Sequence, residues 1–264
     1  MTAHYRCHSD DPGGTVLDRT NVLFDWSEQA DPARAALIMV DLQNDFVHAD
    51  GWVAQQQVPG FMGDTGIEAV LDRSKALLDA ARRAEVLTVF VRMLGDDKYL
   101  SPALYAQYRR NHGHERPPCV QEGTWGADFY GELRPDGRPK EFVLDKHRYS
   151  AFIGTRLDQL LRSNGVQTLV VCGVATTGCV ESTIRDGFMH DYYVVIARDA
   201  CGDYEAARHA NALSKLDLSF GTVVSVADIA QRWDRAVSRA GSEARAASSR
   251  AGSEARAASS RAGN

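Results

Sequence analysis

The chain reads as one α/β domain, a three-layer sandwich with a six-stranded, mostly parallel sheet flanked by helices on both faces. Three observations predict it. Short β-branched, apolar runs recur along the chain, amphipathic segments of crossover length separate them, and polar residues capable of chemistry stand directly after strand ends. Strands buried on both faces read as continuous apolar runs, and parallel neighbours require long, usually helical, crossovers.

The first strand, residues 37–41, is apolar until its last residue, the carboxylate of Asp41. An irregular Gly-rich stretch follows. Ile67, Val70, Leu71, Ser74, Leu77, Leu78 and Ala81 then share one helix face. Residues 86–91 form the second strand. From residue 96 to 139 the rhythm breaks, and Tyr99, Tyr105, Tyr108, Trp125, Phe129 and Tyr130 stand among Pro, Gly and charges. Such an aromatic insert suits a pocket wall or a subunit contact. Strands 142–144, 168–172, 193–197 and 222–226 follow, with helices 155–163, 180–190, 204–218 and 227–237. Residues 1–30 are a polar leader, 31–237 the catalytic-sized domain, and 238–264 a tail. In the tail the 11-residue block that opens at Ala240 recurs letter for letter from Ala251. Its Ala, Ser, Gly and Arg cannot bury enough apolar area to offset ordering entropy, so disorder is expected there, with a marginal helix continuing from Trp233 as the alternative.

Length and charge narrow the function classes. A chain of 264 residues can bury a large core. Its net charge of −5 offers no basic stripe for nucleic acid. No apolar run is long enough for a membrane span and no secretory signal opens the chain, so a cytoplasmic protein is expected. The five cysteines, Cys7, Cys119, Cys172, Cys179 and Cys201, show no metal-ligand spacing. Cys172 and Cys201 are read as core residues, while Cys7 and Cys119 lack a visible activating partner.

Cys179 differs from the others. Residues 167–186 read as strand, tight turn and helix, with Gly173 and Gly178 permitting the reversal. A helix starting near Cys179 would favour thiolate over thiol, and its N–H groups would suit an oxyanion. Asp41 ends the first strand and Lys146 ends the strand at 142–144, so carboxylate, ammonium and thiol can meet at the carboxyl edge of a parallel sheet, where open α/β folds place ligands. Each residue also has a structural reading: a buried cysteine, a turn-forming aspartate and an edge-strand lysine.

The segments Val40-Asp41-Leu-Gln43-Asn-Asp-Phe46, Lys146-His-Arg-Tyr149-Ser-Ala-Phe152 and Gly173-Val-Ala-Thr-Thr-Gly-Cys179-Val-Glu-Ser-Thr-Ile-Arg-Asp186 together resemble the isochorismatase-like cysteine hydrolase superfamily. The resemblance spans residues 36 to 233, and the second and third segments are most similar to its ureidoacrylate amidohydrolase branch, with N-carbamoylsarcosine amidases more distant. It implies Asp41 as general base, Lys146 as electrostatic partner and Cys179 as nucleophile. It also implies a cis peptide between Val174 and Ala175, with the N–H groups of Ala175 and Cys179 as oxyanion donors. Gln43, Tyr149, Thr176, Arg92 and Trp125 are the candidate substrate contacts, and Arg109 and Arg148 join Arg92 as candidate cations for a substrate carboxylate.

Nicotinamidases of that superfamily carry an aspartate and closely spaced histidines after the second strand. Here the stretch holds Asp96 and Asp97 without histidine, and His112 and His114 lie in a polar loop with no third ligand at a recognisable spacing. No metal and no cofactor are expected. The function expected is cysteine-dependent hydrolysis of a C–N bond in a small carbamoyl, ureido or amide compound, with release of ammonia. The alternatives are a non-catalytic binding or assembly subunit, or vinyl-ether hydrolysis. The expected partners are a small-molecule substrate and further copies of the chain as a dimer or tetramer.

Overall fold

The apolar runs form β1 (Ala35–Val40), β2 (Leu87–Met93), β3 (Glu141–Lys146), β4 (Thr168–Val174), β5 (Tyr193–Gly202) and β6 (Thr222–Val224) in a computed structural model that describes residues 21–56, 66–112 and 119–262. They make one sheet in the order β3-β2-β1-β4-β5-β6, and every neighbouring pair is parallel. The helices are α1 (Trp26–Gln29), α2 (Asn44–Val47), α3 (Trp52–Gln55), α4 (Ile67–Arg83), α5 (Pro102–His112), α6 (Leu157–Ser163), α7 (Glu181–Met189), α8 (Ala206–Ser219) and α9 (Val226–Ala262).

Alternation along each strand splits the core in two. Leu37, Met39, Phe90, Val170, Cys172 and Val195 face Leu77 and Leu78 of α4 and Ile229 and Trp233 of α9. Ile38, Val40, Val89, Val171 and Ile196 face Leu157 and Leu161 of α6, Ile184 of α7, and Leu213 and Leu216 of α8. A central strand covered on both faces must be apolar throughout, and all six residues of β1 are buried. The strand order reverses direction between β1 and β4, and the carboxyl end of that pair is the crevice where such sheets bind ligands. Gly173 makes the close pairing there feasible. It stands opposite Val40 with φ +123°, and a Cβ on it would lie 2.0 Å from the Val40 carbonyl oxygen.

Several expectations need correction. β5 runs to Gly202, past its expected end at 197, through a register shift against β4 between Val171 and Gly173. α5 occupies part of the insert expected to be irregular. The described end of the leader belongs to the domain: the Trp233 indole donates to the Ala30 carbonyl at 3.0 Å and Arg232 to that of Ser27 at 2.6 Å. Trp26 packs on the core, whereas Phe24 is exposed. The tail expected to be disordered continues α9 to Ala262. Its Ala, Arg and Glu are good helix formers, and Arg239 meets Glu243 at 2.8 Å with i,i+4 spacing. Cys7, His114 and the leader up to residue 20 lie outside the described residues. Among the described residues no helix is long and apolar enough to cross a membrane.

Candidate active site

Three strand ends supply the three reactive groups. Asp41 follows β1, Lys146 closes β3, and Cys179 follows the turn after β4. β3 and β1 are separated by β2, a span of about 10 Å at the usual strand spacing. The long lysine side chain bridges that gap. Lys146 Nζ lies 2.7 Å from Asp41 Oδ2 and donates to the Arg148 carbonyl at 3.1 Å, and both ionic side chains are buried. Asp41 turns out of the strand at φ +54°, a conformation Asp tolerates better than most residues, and its N–H donates to the Val91 carbonyl at 3.1 Å.

The Cys179 thiol lies against Asp41 and Lys146, and burial pushes it up to about 12. Asp41 adds to that rise, while Lys146 offsets part of it. That direction opposes the thiolate that a helix start alone would favour. The expected helix start is corrected: a π-turn spanning Thr176–Val180 precedes α7, so the helical N–H groups begin three residues before Cys179. Burial also raises Asp41, against the pull of Lys146. For Lys146, burial opposes the charge, but Asp41 and Cys179 outweigh it and hold the ammonium above its ordinary range.

The turn that leads to Cys179 is held from beneath. The Val174–Ala175 peptide is cis. The Ala175 carbonyl accepts the N–H groups of Gly178 and Val180 at 3.0 and 3.2 Å. The Thr177 N–H is taken by Asp203 Oδ2 at 2.6 Å. Ala175 stands at the start of this π-turn and Cys179 lies within it.

The candidate substrate contacts divide. Tyr149 is half-exposed, and its hydroxyl, raised by burial, lies within electrostatic reach of Cys179 and Lys146. Gln43 is spent on backbone: Nε2 donates to the carbonyls of Met93 and Ala127 at 2.9 and 2.8 Å, and Oε1 accepts the Met93 N–H at 2.8 Å. Thr176 is buried, with its hydroxyl on the Gly202 carbonyl at 3.0 Å and 2.9 Å from His209 Nδ1. Arg92 is engaged bidentately by Asp145 across β2 and β3. In all three the polar side-chain atoms are hydrogen-bonded within the chain. Trp125 is half-exposed and meets His48 edge-on, with ring centroids 5.0 Å apart. Asn44 holds its carbonyl at 2.8 Å, and Asp45 accepts the Val120 N–H at 2.6 Å, so the polar run after Asp41 clamps the 119–130 segment.

Asp203, Tyr204 and His209 were not anticipated. The signal existed, since Asp203 is a carboxylate at a strand's carboxyl end like Asp41, but ending β5 at 197 hid it. Asp96 caps the 3-10 turn at Asp97–Tyr99 and pairs with Lys98. Among the described residues no group of three or more His, Cys, Asp or Glu is placed to hold a metal ion.

Residues 35–228 match the family model described as the isochorismatase domain. The chain is 35% identical over 209 residues to ureidoacrylate amidohydrolase RutB of Enterobacter sp. (strain 638), covering 75% of this chain and 88% of that one. Among solved structures it is similar to a cysteine hydrolase from Pseudomonas syringae pv. phaseolicola 1448A, with TM-score 0.65, 26% identity, and coverage of 78% of this chain and 94% of that one. It is also similar to N-carbamoylsarcosine amidase from Thermoplasma acidophilum, with TM-score 0.57, 25% identity, and coverage of 73% and 96%.

Proposed function

The chain belongs to the isochorismatase family, and from that premise we propose that it is a cysteine-dependent amidohydrolase acting on a small N-carbamoyl compound of the ureidoacrylate type. One observation carries the reading: a thiol, a buried carboxylate and a buried ammonium meet at the carboxyl ends of the strands, with carboxylate and ammonium 2.7 Å apart. A binding or assembly subunit has no use for a buried ion pair set against a thiol, since burying charge costs several kcal/mol per ion before compensation.

In the proposed mechanism Asp41 accepts the Cys179 proton as sulfur attacks the carbamoyl carbon. The oxyanion is held by the N–H groups of Ala175 and Cys179. The C–N bond to the terminal nitrogen breaks, and that nitrogen takes the proton from Asp41 and leaves as ammonia. Water then attacks the remaining thiocarbamate as Asp41 takes its proton, the C–S bond breaks, Asp41 returns that proton to the Cys179 sulfur, and the released carbamic acid loses carbon dioxide to leave the amine. Lys146 opposes the desolvation of Asp41 and the charge that develops beside it.

Steady-state kinetics on ureidoacrylate and the primary amide of matched size tests the substrate class, with Cys179→Ala as the control for the nucleophile. A higher kcat/KM for the ureido compound, and no turnover by Cys179→Ala, are expected. Preference for the primary amide sinks the carbamoyl reading alone; turnover by Cys179→Ala sinks the mechanism. The proposed setting is cytoplasmic, as a dimer or tetramer. The exposed Ile153, Met189 and Leu218 support association, which light scattering at micromolar concentration reads.

A further inference from the structure

Asp203 closes the Cys-Gly-Asp run at the end of β5 and is fully buried, yet its side chain serves an exposed residue. Oδ2 accepts both the N–H and the hydroxyl of Thr177, at 2.6 and 2.7 Å, and Oδ1 accepts the Tyr204 N–H at 2.7 Å. A buried carboxylate costs free energy unless charge-assisted hydrogen bonds compensate it, and three short ones do so here. Thr177 is solvent-exposed, so its hydroxyl contributes little apolar burial; what the contact fixes is the backbone between Ala175 and Cys179. The preceding residue is pinned to the same strand end, through Thr176 Oγ1 on the Gly202 carbonyl and against His209. On the other side Tyr204, raised by burial and by the nearby Cys119 and Cys179, stands within electrostatic reach of the thiol.

We infer that Asp203 is a positioning residue for the reaction: through Thr177 it sets the Ala175–Cys179 turn that aims the oxyanion N–H groups, and through Tyr204 it sets the wall beside the thiol. It also withdraws the Thr177 N–H from the oxyanion. The inference rests on Cys179 as the nucleophile. Displacing a reacting group by about 1 Å costs on the order of 100-fold in rate. Loss of the hydroxyl anchor alone should therefore act on kcat and leave KM nearly unchanged.

The test uses the full chain and 4-nitrophenyl acetate, which acetylates a thiolate with loss of 4-nitrophenolate and so reads acylation independently of the natural substrate. Intact mass counts the acetyl group. Thr177→Val, an exposed substitution, should slow acylation of Cys179 roughly 10-fold with an unchanged Tm, Thr177→Ser should restore it, and Asp203→Asn should slow it on the order of 100-fold. Thr177→Val acylating at the wild-type rate overturns the inference even if Asp203→Asn fails to fold. Equal acylation of Cys179→Ala overturns the nucleophile reading instead. A fall in acylation matched by a fall in Tm, without rescue by Thr177→Ser, shows a structural role only and refutes positioning.

Discussion

Replacing Asp41 by asparagine should make Cys179 more reactive toward an alkylating agent while stopping turnover. The thiol rises from an ordinary 9.0 to about 12 because it is buried and because Asp41 lies against it. Three units correspond to roughly 1000-fold less thiolate at neutral pH, or about 4 kcal/mol. At pH 8 the wild-type thiolate fraction is then on the order of 1 in 10,000. The Asp41→Asn substitution removes the carboxylate's contribution and leaves Lys146, which favours thiolate, so the Cys179 pKa must fall; each unit of fall speeds alkylation about 10-fold. Turnover should drop by roughly 100- to 10,000-fold, the usual worth of a general acid–base. The assay is the iodoacetamide rate at Cys179 between pH 7 and 11, read by peptide mass. In the wild type the rate should climb through pH 9 without levelling. A plateau near pH 9 in the wild type, or alkylation of Asp41→Asn no faster than wild type at pH 8, refutes the account of the site's electrostatics.

Acid should switch the enzyme off above the ordinary carboxylate range. Burial raises Asp41, the base form is lost as pH falls through that raised value, and kcat/KM should decline there; a limb at or below pH 3.8 contradicts it. Prolonged chelation should leave activity intact, because thiolate and not metal-bound hydroxide attacks; loss restored specifically by one divalent ion would show otherwise. Gly173→Ala should destabilise the fold by about 3 kcal/mol or more, since a Cβ there meets the Val40 carbonyl and φ is +123°, and urea melts measure it. Deleting residues 240–264 should shift neither Tm nor activity, because Val226, Ile229 and Trp233, all before the deletion, are buried in the core; a fall of several degrees in Tm counts against it.

The legible part of the fold was the part governed by local periodicity. All six strands and the helices between them carry their apolar residues where one sheet with two covered faces needs them, and the three reactive groups stand at strand ends that sequence alone can locate. What was hidden depends on pairing. Where β5 ends is set by a register shift against β4, which no single segment encodes, and with it went Asp203. The hydrogen bonds of Gln43, Thr176 and Arg92 were equally hidden, because their partners lie 26 to 84 residues away. A polar side chain's employment is a tertiary fact. The pressure on the thiol is hidden for the same reason: helix position is local, while burial and the neighbouring carboxylate are not.

A thiol that releases its proton to solvent only near pH 12 is compatible with catalysis at neutral pH, because the site need not release that proton at all. At their ordinary values of 9.0 and 3.8 a cysteine and an aspartate are separated by about five units, and passing a proton from one to the other would cost roughly 7 kcal/mol. Burial raises the acceptor as well as the donor, so the height of the cysteine value alone does not set the cost of the internal transfer. Charge is moved and not created: thiol, carboxylate and ammonium become thiolate, carboxylic acid and ammonium, and the buried set stays neutral in sum. Ionisation to solvent, by contrast, would leave a net negative charge beside a carboxylate, the state that burial and Asp41 both disfavour. Lys146 serves both states, since it pairs with whichever neighbour holds the negative charge. Lys146→Met should therefore do more than weaken binding of a charged partner. It should strand a buried carboxylate, raise Asp41 further, and move the acid limb of kcat/KM upward in pH as kcat falls. An unmoved acid limb would show that the carboxylate does not depend on the lysine for its charge.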